Sequence, residues 1–132
     1  MNIDTLHTAF LKSSGVSTDT RSLKKGSIFF ALKGENFNGN KYASQALEKG
    51  ASFSVIDDSN YKQDERYIVV KDSLKCLQEL AKYHRKKLSC PVIGITGTNG
   101  KTTTKELIFA TLSTSFKTTC TKGNLNNDIG IP

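Results

Sequence analysis

Residues 92–104 carry the sequence feature that most restricts how this chain can fold. An apolar run at 92–95 is followed by a glycine-containing loop, and then by Lys101 and three threonines that lead into a helical pattern. A strand, a glycine loop and a Gly-Lys-Thr sequence opening a helix are typical of a phosphate-binding loop, in which backbone N–H groups face the anion. We therefore predict a buried strand at 92–95 and a nucleotide site directly after it.

The glycine spacing differs from the general phosphate-loop pattern. That pattern places its first glycine six residues before the lysine, where this chain has Ile95, whereas Gly97 stands four residues before Lys101. A glycine-rich turn with an exposed lysine is therefore an alternative, but the flanking strand and helix favour nucleotide binding. We expect a nucleotide here, with Lys101 on its β- and γ-phosphates and the Thr102 hydroxyl on Mg²⁺. The expected nucleotide contacts are Gly97, Thr98, Asn99, Gly100, Lys101, Thr102 and Thr103.

Composition limits the class of protein. The 132 residues suffice for one domain or for a small domain plus part of another, and 36% hydrophobic with 23% charged residues is typical of globular proteins. No apolar run approaches the roughly 20 residues of a membrane helix, and no secretory signal is visible at the N-terminus. We therefore predict a cytoplasmic protein with no membrane partner. Three cysteines without CxxC spacing and two isolated histidines predict neither a disulfide nor a metal cluster.

A net charge of +7 makes a small basic nucleic-acid-binding module an alternative function. The positive residues are scattered, however, and the densest group, which includes Arg85 and Lys86, falls near the end of one predicted helix. Positive charge is favourable at that position of a helix. We therefore expect no nucleic-acid partner, and the charge also fits a small polyanion such as a nucleotide-sugar or ATP.

Hydrophobic periodicity predicts an α/β fold, with a small α/β unit before the phosphate loop. The expected helices cover about 3–12, the segment between Asn40 and Gly50, and the segment from Asp72 or Ser73 to Leu88. The expected strands cover 28–32, 52–56 and 67–70, with an extended segment at 16–21. A break at 89–91 divides a domain of residues 1–90 from residues 91–132, which begin a second, incomplete domain with a helix to about 114 and a strand at 116–119.

Polar segments beside the predicted strands are candidate ligand sites. The extended segment at 16–21 is rich in hydroxyls and ends in an acid and a base, and the loop at 33–40 follows a buried strand, where α/β sheets bind ligands. An ordinary turn explains the loop at 33–40 equally well, because Asn-Gly sequences favour turns. The asparagine-rich tail at 123–132 either lines a site or is a frayed end.

Four segments together give the chain a resemblance to the Mur ligase family. The loop at 97–103 resembles the ATP loop of that family, which uses this shorter glycine spacing. The segments at 17–21, 26–40 and 123–132 are similar to further signature stretches of one branch of the family. Four motifs in the right order are more specific than any one of them.

The resemblance implies a reaction and a set of site residues. Residues 1–90 would hold the UDP-N-acetylmuramoyl end of a substrate, and residues 91–132 would begin the central ATPase domain. The implied reaction belongs to peptidoglycan synthesis, which serves cell shape and division: D-alanyl-D-alanine is joined to UDP-N-acetylmuramoyl-tripeptide through an acyl phosphate. Lys101 is the implied catalytic residue. The implied substrate contacts are Asp19, Thr20, Arg21, Gly34, Asn36, Asn38, Gly39, Asn124, Asn126 and Asn127.

Members of the family continue beyond the position of Pro132, so we expect an N-terminal part of a longer ligase that is inactive alone. Another member of the superfamily, such as MurE or a folylpolyglutamate synthase, is an alternative that the segments at 34–40 and 123–132 disfavour. The full-length enzyme is expected to be a monomer. An incomplete sheet exposes an unpaired edge, which predicts self-association of the shorter chain.

Overall fold

A computed structural model describes residues 2–121, which form two compact units, 2–87 and 88–121. The first unit is α/β, as predicted. Its helices are α1 (Ile3–Lys12), α2 (Ala43–Glu48) and α3 (Ser73–Lys87). Its strands are β1 (Val16–Ser17), β2 (Ile28–Phe30), β3 (Lys33–Gly34), β4 (Phe37–Asn38), β5 (Phe53–Ile56) and β6 (Tyr67–Val69). Within residues 2–121, no helix combines the length and apolar character needed to cross a lipid bilayer.

Four of these strands form one parallel sheet in the order β1-β2-β5-β6. Phe29 of β2 lies beside Ser54 of β5, and Val55 of β5 lies beside Ile68 of β6. Because all four strands run in the same direction, their carboxyl ends share one edge, the edge at which α/β sheets bind ligands. The strands β3 and β4 form a separate antiparallel hairpin that follows β2, in the segment predicted to be a loop.

The sheet is buried on both faces, which explains why its strands are apolar without alternation. In β2, Phe29 packs in a cluster with Ala46 of α2, whereas Ile28 and Phe30 pack in a second cluster with helices α1 and α3. All three β2 residues are buried. The predicted continuous apolar strand is therefore the centre of a three-layer arrangement.

The start of α3 and the end of α2 show the expected capping chemistry. The Asp72 side chain accepts a hydrogen bond from the Lys75 backbone N–H at 2.9 Å and caps α3, one of the two predicted caps. After α2 the chain turns at Gly50, whose φ of 98° lies in the left-handed region that favours glycine. The predicted position of Gly50 just beyond a helix end is thereby confirmed.

The second unit contains the helix α4 (Lys101–Leu112), which begins where the phosphate-loop pattern predicts. The predicted buried strand at 92–95 is wrong: these residues form no strand, and Val92 and Ile93 are more than half exposed. The predicted strand at 116–119 is also wrong, and Phe116 is exposed. A strand is stable only beside a hydrogen-bonded neighbour, and within the described part of the chain no strand pairs with either segment.

Candidate functional site

A polar cleft of about 300 Å³ lies beside β1 in the first unit. Most of its lining residues carry hydroxyl or charged side chains: Ser14, Ser17, Thr18, Asp19, Ser22, Lys24 and Ser27. Hydrogen bonds within this segment fix its shape. The Ser17 hydroxyl donates to the Asp19 carbonyl at 2.9 Å and accepts from the Asp19 N–H at 3.3 Å. A preformed cleft lined by such groups fits a ligand rich in hydroxyl or phosphate oxygens.

Asp19 and Arg21 form a bidentate ion pair at this cleft. The Arg21 Nε lies 3.0 Å from both carboxylate oxygens and its Nη2 lies 2.7 Å from Oδ2, while the Arg21 backbone N–H donates to Oδ1 at 2.8 Å. The Arg21 side-chain hydrogen bonds are the main reason that the pKa of Asp19 falls from 3.8 to about 2, and the pair raises the pKa of Arg21. Because both side chains are exposed, the pair shapes the loop and adds little to stability.

Thr20 points away from this pair and into the protein. Its side chain is buried, its hydroxyl donates to Gln45 Oε1 at 2.9 Å, and its carbonyl accepts from Lys49 Nζ at 2.9 Å. Thr20 therefore anchors the loop to α2, and the direct substrate contact that the resemblance implies for it stays a prediction. Sequence analysis missed Gln45 and Lys49, because nothing in a helical pattern indicates which loop a polar side chain will reach.

The Asp19 pKa gives a prediction that can be measured by carboxyl ¹³C chemical shifts across a pH titration. We expect Asp19 to titrate near pH 2 and the substitution Arg21→Met to move its midpoint back toward 3.8. Since the folded-state pKa is depressed, the stabilisation from this pair is present above about pH 4 and is lost as the pH falls toward 2.

Arg66→Met is the matched control for this titration. Arg66 pairs with Asp64 in the same way and lowers the pKa of that carboxyl instead. The control should therefore move the midpoint of Asp64 and leave Asp19 near 2. An Asp19 titration midpoint that is the same in the original chain and in Arg21→Met would contradict the ion pair.

A second cleft, of about 380 Å³, lies at the hairpin formed by β3 and β4. Its lining contains two lysines and one acid, which are Lys33, Lys41 and Glu35. Gly34, Asn36 and Asn38, three of the predicted substrate contacts, also line it. Gly39 differs from them: it is buried, and its N–H donates to the Leu32 carbonyl at 2.9 Å. Its place in the structure is thus explained by packing, and its contact with substrate stays a prediction.

An exposed aromatic pair, missed by sequence analysis, stands at the same hairpin. Phe37 stacks on Tyr42 with ring centroids 5.4 Å apart and an interplanar angle of 12°. Both side chains are exposed although aromatic residues favour burial. Tyr42 falls within the helix predicted between Asn40 and Gly50, whereas in the structure it ends a short 3₁₀ turn.

In the second unit, the phosphate-loop residues surround an open helix start. Gly100 precedes α4 with a φ of 77°, and no side chain caps the helix there. Gly97 also has a positive φ, of 147°. A Cβ at Gly100 would meet nothing within 4 Å, so backbone conformation and not crowding favours glycine at this position. The Lys101 ammonium lies over the loop and donates to the carbonyls of Gly97 and Thr98.

This arrangement fits a phosphate chain. The first N–H groups of α4 lack a side-chain cap, and Lys101 and the helix N-terminus both favour an anion. Thr102, which we expect to hold Mg²⁺, offers one exposed hydroxyl. Residues 2–121 contain no group of three or more metal-binding side chains. A single hydroxyl nevertheless fits Mg²⁺, because this ion usually takes few protein ligands and completes its shell with phosphate oxygens and water.

Asn124, Asn126 and Asn127 lie outside the described residues, so their predicted place at the substrate stays a prediction. The remaining predicted nucleotide contacts, Thr98, Asn99 and Thr103, lie in the loop or the first turn of α4.

The parallel sheet of the first unit and the Gly-Lys-Thr helix start of the second are typical of an α/β protein with a phosphate-binding loop. The chain matches the description "Mur ligase family, catalytic domain" over residues 12–85 and "Mur ligase middle domain" over residues 95–132. It belongs to the Mur ligase family, as the four sequence motifs indicated.

Similar proteins from several bacteria are named UDP-N-acetylmuramoyl-tripeptide–D-alanyl-D-alanine ligase. The Bacillus subtilis protein is 46% identical over 120 residues, which are 89% of this chain and 26% of the relative. The Escherichia coli protein is 40% identical over 127 residues, 96% of this chain and 28% of the relative. The chain thus spans about a quarter of the length of these relatives.

Solved structures with the same fold carry related names. The MurF ligase from Thermotoga maritima in complex with ADP is 30% identical, with a TM-score of 0.77 over 92% of this chain and 28% of that one. MurF from Acinetobacter baumannii is 31% identical, with a TM-score of 0.78 over 98% of this chain and 31% of that one.

Proposed function

We propose that this chain is the substrate- and ATP-binding part of a ligase that joins D-alanyl-D-alanine to UDP-N-acetylmuramoyl-tripeptide in the cytoplasm. The observation that carries the proposal is the match to the Bacillus subtilis ligase, which is 46% identical over 120 residues and covers 89% of this chain. Since the chain covers 26% of that relative, we propose that it does not ligate by itself.

In this proposal, residues 1–90 form the domain for the UDP-N-acetylmuramoyl group. The polar cleft beside β1 and the hairpin cleft both contain groups suited to a nucleotide-sugar. Lysines and backbone N–H groups can bind the diphosphate, and asparagine amides can pair with the hydroxyls and carbonyls of sugar or base. The exposed Arg21 guanidinium, already oriented by Asp19, is a further candidate for the diphosphate.

Residues 91–132 begin the ATP-binding domain. ATP supplies the phosphoryl group that activates the peptide carboxylate as an acyl phosphate, and Mg²⁺ offsets part of the phosphate charge. Lys101 and the open N-terminus of α4 hold the phosphates in place. Thr102 presents its hydroxyl from the first turn of the helix, where it can reach the ion. Positioning and charge compensation are what phosphoryl transfer chiefly requires.

The test is thermal unfolding of the first unit with UDP-N-acetylmuramoyl-tripeptide. All four tyrosines, Tyr42, Tyr61, Tyr67 and Tyr83, belong to this unit, so the near-ultraviolet circular dichroism of tyrosine reports its unfolding. Ligand at about 100 times its dissociation constant should stabilise the unit by about 2.7 kcal/mol. ATP, a polyanion of similar charge, should leave the tyrosine signal of this unit unchanged.

Two outcomes would contradict the proposal. An unchanged melting temperature with the nucleotide-sugar would remove the assigned ligand from the first unit. Equal shifts with ATP and with the nucleotide-sugar would indicate general attraction of anions by the net charge of +7. Tight, strongly salt-dependent binding of duplex DNA would then favour a nucleic-acid-binding module.

A further inference from the structure

A buried polar cluster connects the hairpin to the sheet at the carboxyl end of β5. Asn40, which is 1% exposed, donates through Nδ2 to Asn38 Oδ1 at 2.9 Å and to Asp57 Oδ1 at 2.8 Å. Its Oδ1 accepts from the Asp57 backbone N–H at 3.1 Å. Both donors and the acceptor of this amide are therefore engaged, which fixes the orientation of Asn40.

The Asp57 carboxylate also holds the other strand of the hairpin. Lys33 Nζ lies 2.8 Å from Asp57 Oδ1. Lys33 and Asn38 are partners in the antiparallel pairing and form the base of the hairpin. Asp57 thus contacts Lys33 on one side of this base directly. It is linked to Asn38 on the other side through the amide of Asn40. The hairpin makes these contacts with a residue outside it, at the ligand edge of the sheet.

Asp57 is charged in this setting. Its side chain is only 12% exposed, and burial, the largest single influence, raises the pKa of its carboxyl. Hydrogen bonds from Lys33, from Asn40 and from the Ser73 backbone act in the opposite direction and together bring the pKa below 3.8. A buried carboxylate with several donors keeps one position, whereas a surface ion pair is free to exchange partners.

We propose that Asp57 is a positioning residue for substrate: its carboxylate fixes the base of the hairpin, and thereby the place of the tip residues Glu35 and Asn36 in the hairpin cleft. Asp57 needs no contact with the ligand for this role. The choice of ligand rests on the proposed function, whereas the fixing of the hairpin rests on the contacts of Asp57 alone. The sequence gives no local signal for this role of Asp57, because its partners lie 17 and 24 residues earlier in the chain.

The experiment compares Asp57→Asn with the neighbouring substitution Asp58→Asn. Both remove one carboxylate charge, but Asp58 accepts its hydrogen bond from the Asn60 N–H and acts on Lys33 only through its charge, whereas Asp57 hydrogen-bonds Lys33 directly. Amide hydrogen exchange is measured for the hairpin and for the core strands β2 and β5. In Asp57→Asn, hairpin amides should exchange about tenfold faster while core amides keep their rates. Asp58→Asn should change neither.

Binding of UDP, measured by titration calorimetry, supplies the second readout. Asp57→Asn should weaken UDP binding by about tenfold, and Asp58→Asn should leave it unchanged. Asp57→Glu keeps the carboxylate and should restore most of the hairpin protection and of the affinity. If Asp57 only stabilised the fold, a fully folded Asp57→Asn variant would keep its affinity for UDP. Loss of affinity in folded Asp57→Asn, with recovery in Asp57→Glu, therefore indicates the positioning role.

The outcomes test the positioning role of Asp57 and the choice of ligand separately. Unchanged hairpin exchange in Asp57→Asn, or acceleration shared equally by the core, overturns the positioning role. If Asp57→Asn does not fold, Lys33→Met decides, because it removes only the half-exposed ammonium; hairpin exchange must then accelerate for the role to hold. Faster hairpin exchange in a chain that binds no UDP supports the fixing of the hairpin and overturns the proposed ligand.

Discussion

Replacement of Gly39 by alanine is expected to lower the free energy of unfolding of the first unit by about 3 kcal/mol, near the upper end of the usual cost of overpacking. A Cβ at Gly39 would lie 2.5 Å from the Leu32 carbonyl oxygen and 2.8 Å from the Ala31 carbonyl carbon. Both are backbone atoms just after β2, so the clash cannot be relieved by rotation of a side chain. Since the Gly39 N–H donates to the same Leu32 oxygen, relieving the clash also strains this hydrogen bond.

Gly34→Ala is the matched control, because both glycines belong to the hairpin region. The nearest atom to a Cβ at Gly34 is Phe37 Cβ at 3.9 Å, an ordinary contact. The control should therefore stay within about 0.5 kcal/mol of the original chain. Tyrosine circular dichroism should show Gly39→Ala melting roughly 12–24 °C lower, given the usual shift per kcal/mol for a domain of this size. Equal melting temperatures for the two variants would contradict the packing of Gly39 on Leu32.

Elements that bury a whole face could be predicted from local pattern alone. The continuous apolar run that includes Phe29 and Phe30 indicated a strand covered on both sides, and the sheet is covered by α2 on one face and by α1 and α3 on the other. The start of α4 could be predicted equally well, because the residues that determine it are contiguous in sequence. Gly100, Lys101 and Thr102 specify a helix start without contacts from elsewhere.

Elements that depend on distant partners could not be predicted in this way. The apolar run at 92–95 has the composition of a strand, yet no described strand pairs with it. The Thr20 hydroxyl bonds Gln45, 25 residues later, and nothing near Thr20 in the sequence indicates this anchor. Asp57 was missed for the same reason. Local composition indicates that a polar side chain will be near a site, but only the tertiary fold decides which side chain faces ligand and which supports it.

Replacement of Lys101 by methionine is expected to weaken ATP binding by roughly ten- to a hundredfold, the usual worth of hydrogen bonds to a charged group. Methionine keeps a long, flexible side chain but removes the ammonium. In the structure that ammonium donates to the carbonyls of Gly97 and Thr98. Phosphate oxygens are charged and accept more strongly than carbonyl oxygens, so they can replace these partners when the nucleotide binds. Titration calorimetry of the chain with Mg²⁺ and ATP measures the effect.

Lys105→Met separates the specific contact from the overall charge. It removes the same charge from the same helix, one turn later, where the ammonium donates to the Thr121 carbonyl at 2.7 Å and lies 2.9 Å from Glu106. We expect this control to bind ATP within about twofold of the original chain, because the Lys105 ammonium contacts Thr121 and Glu106 and not the glycine loop. Equal losses of ATP affinity in both variants would mean that binding depends only on the net charge of the chain. Because the two lysines differ in position and not in charge, a loss confined to Lys101→Met would place the phosphates at the glycine loop.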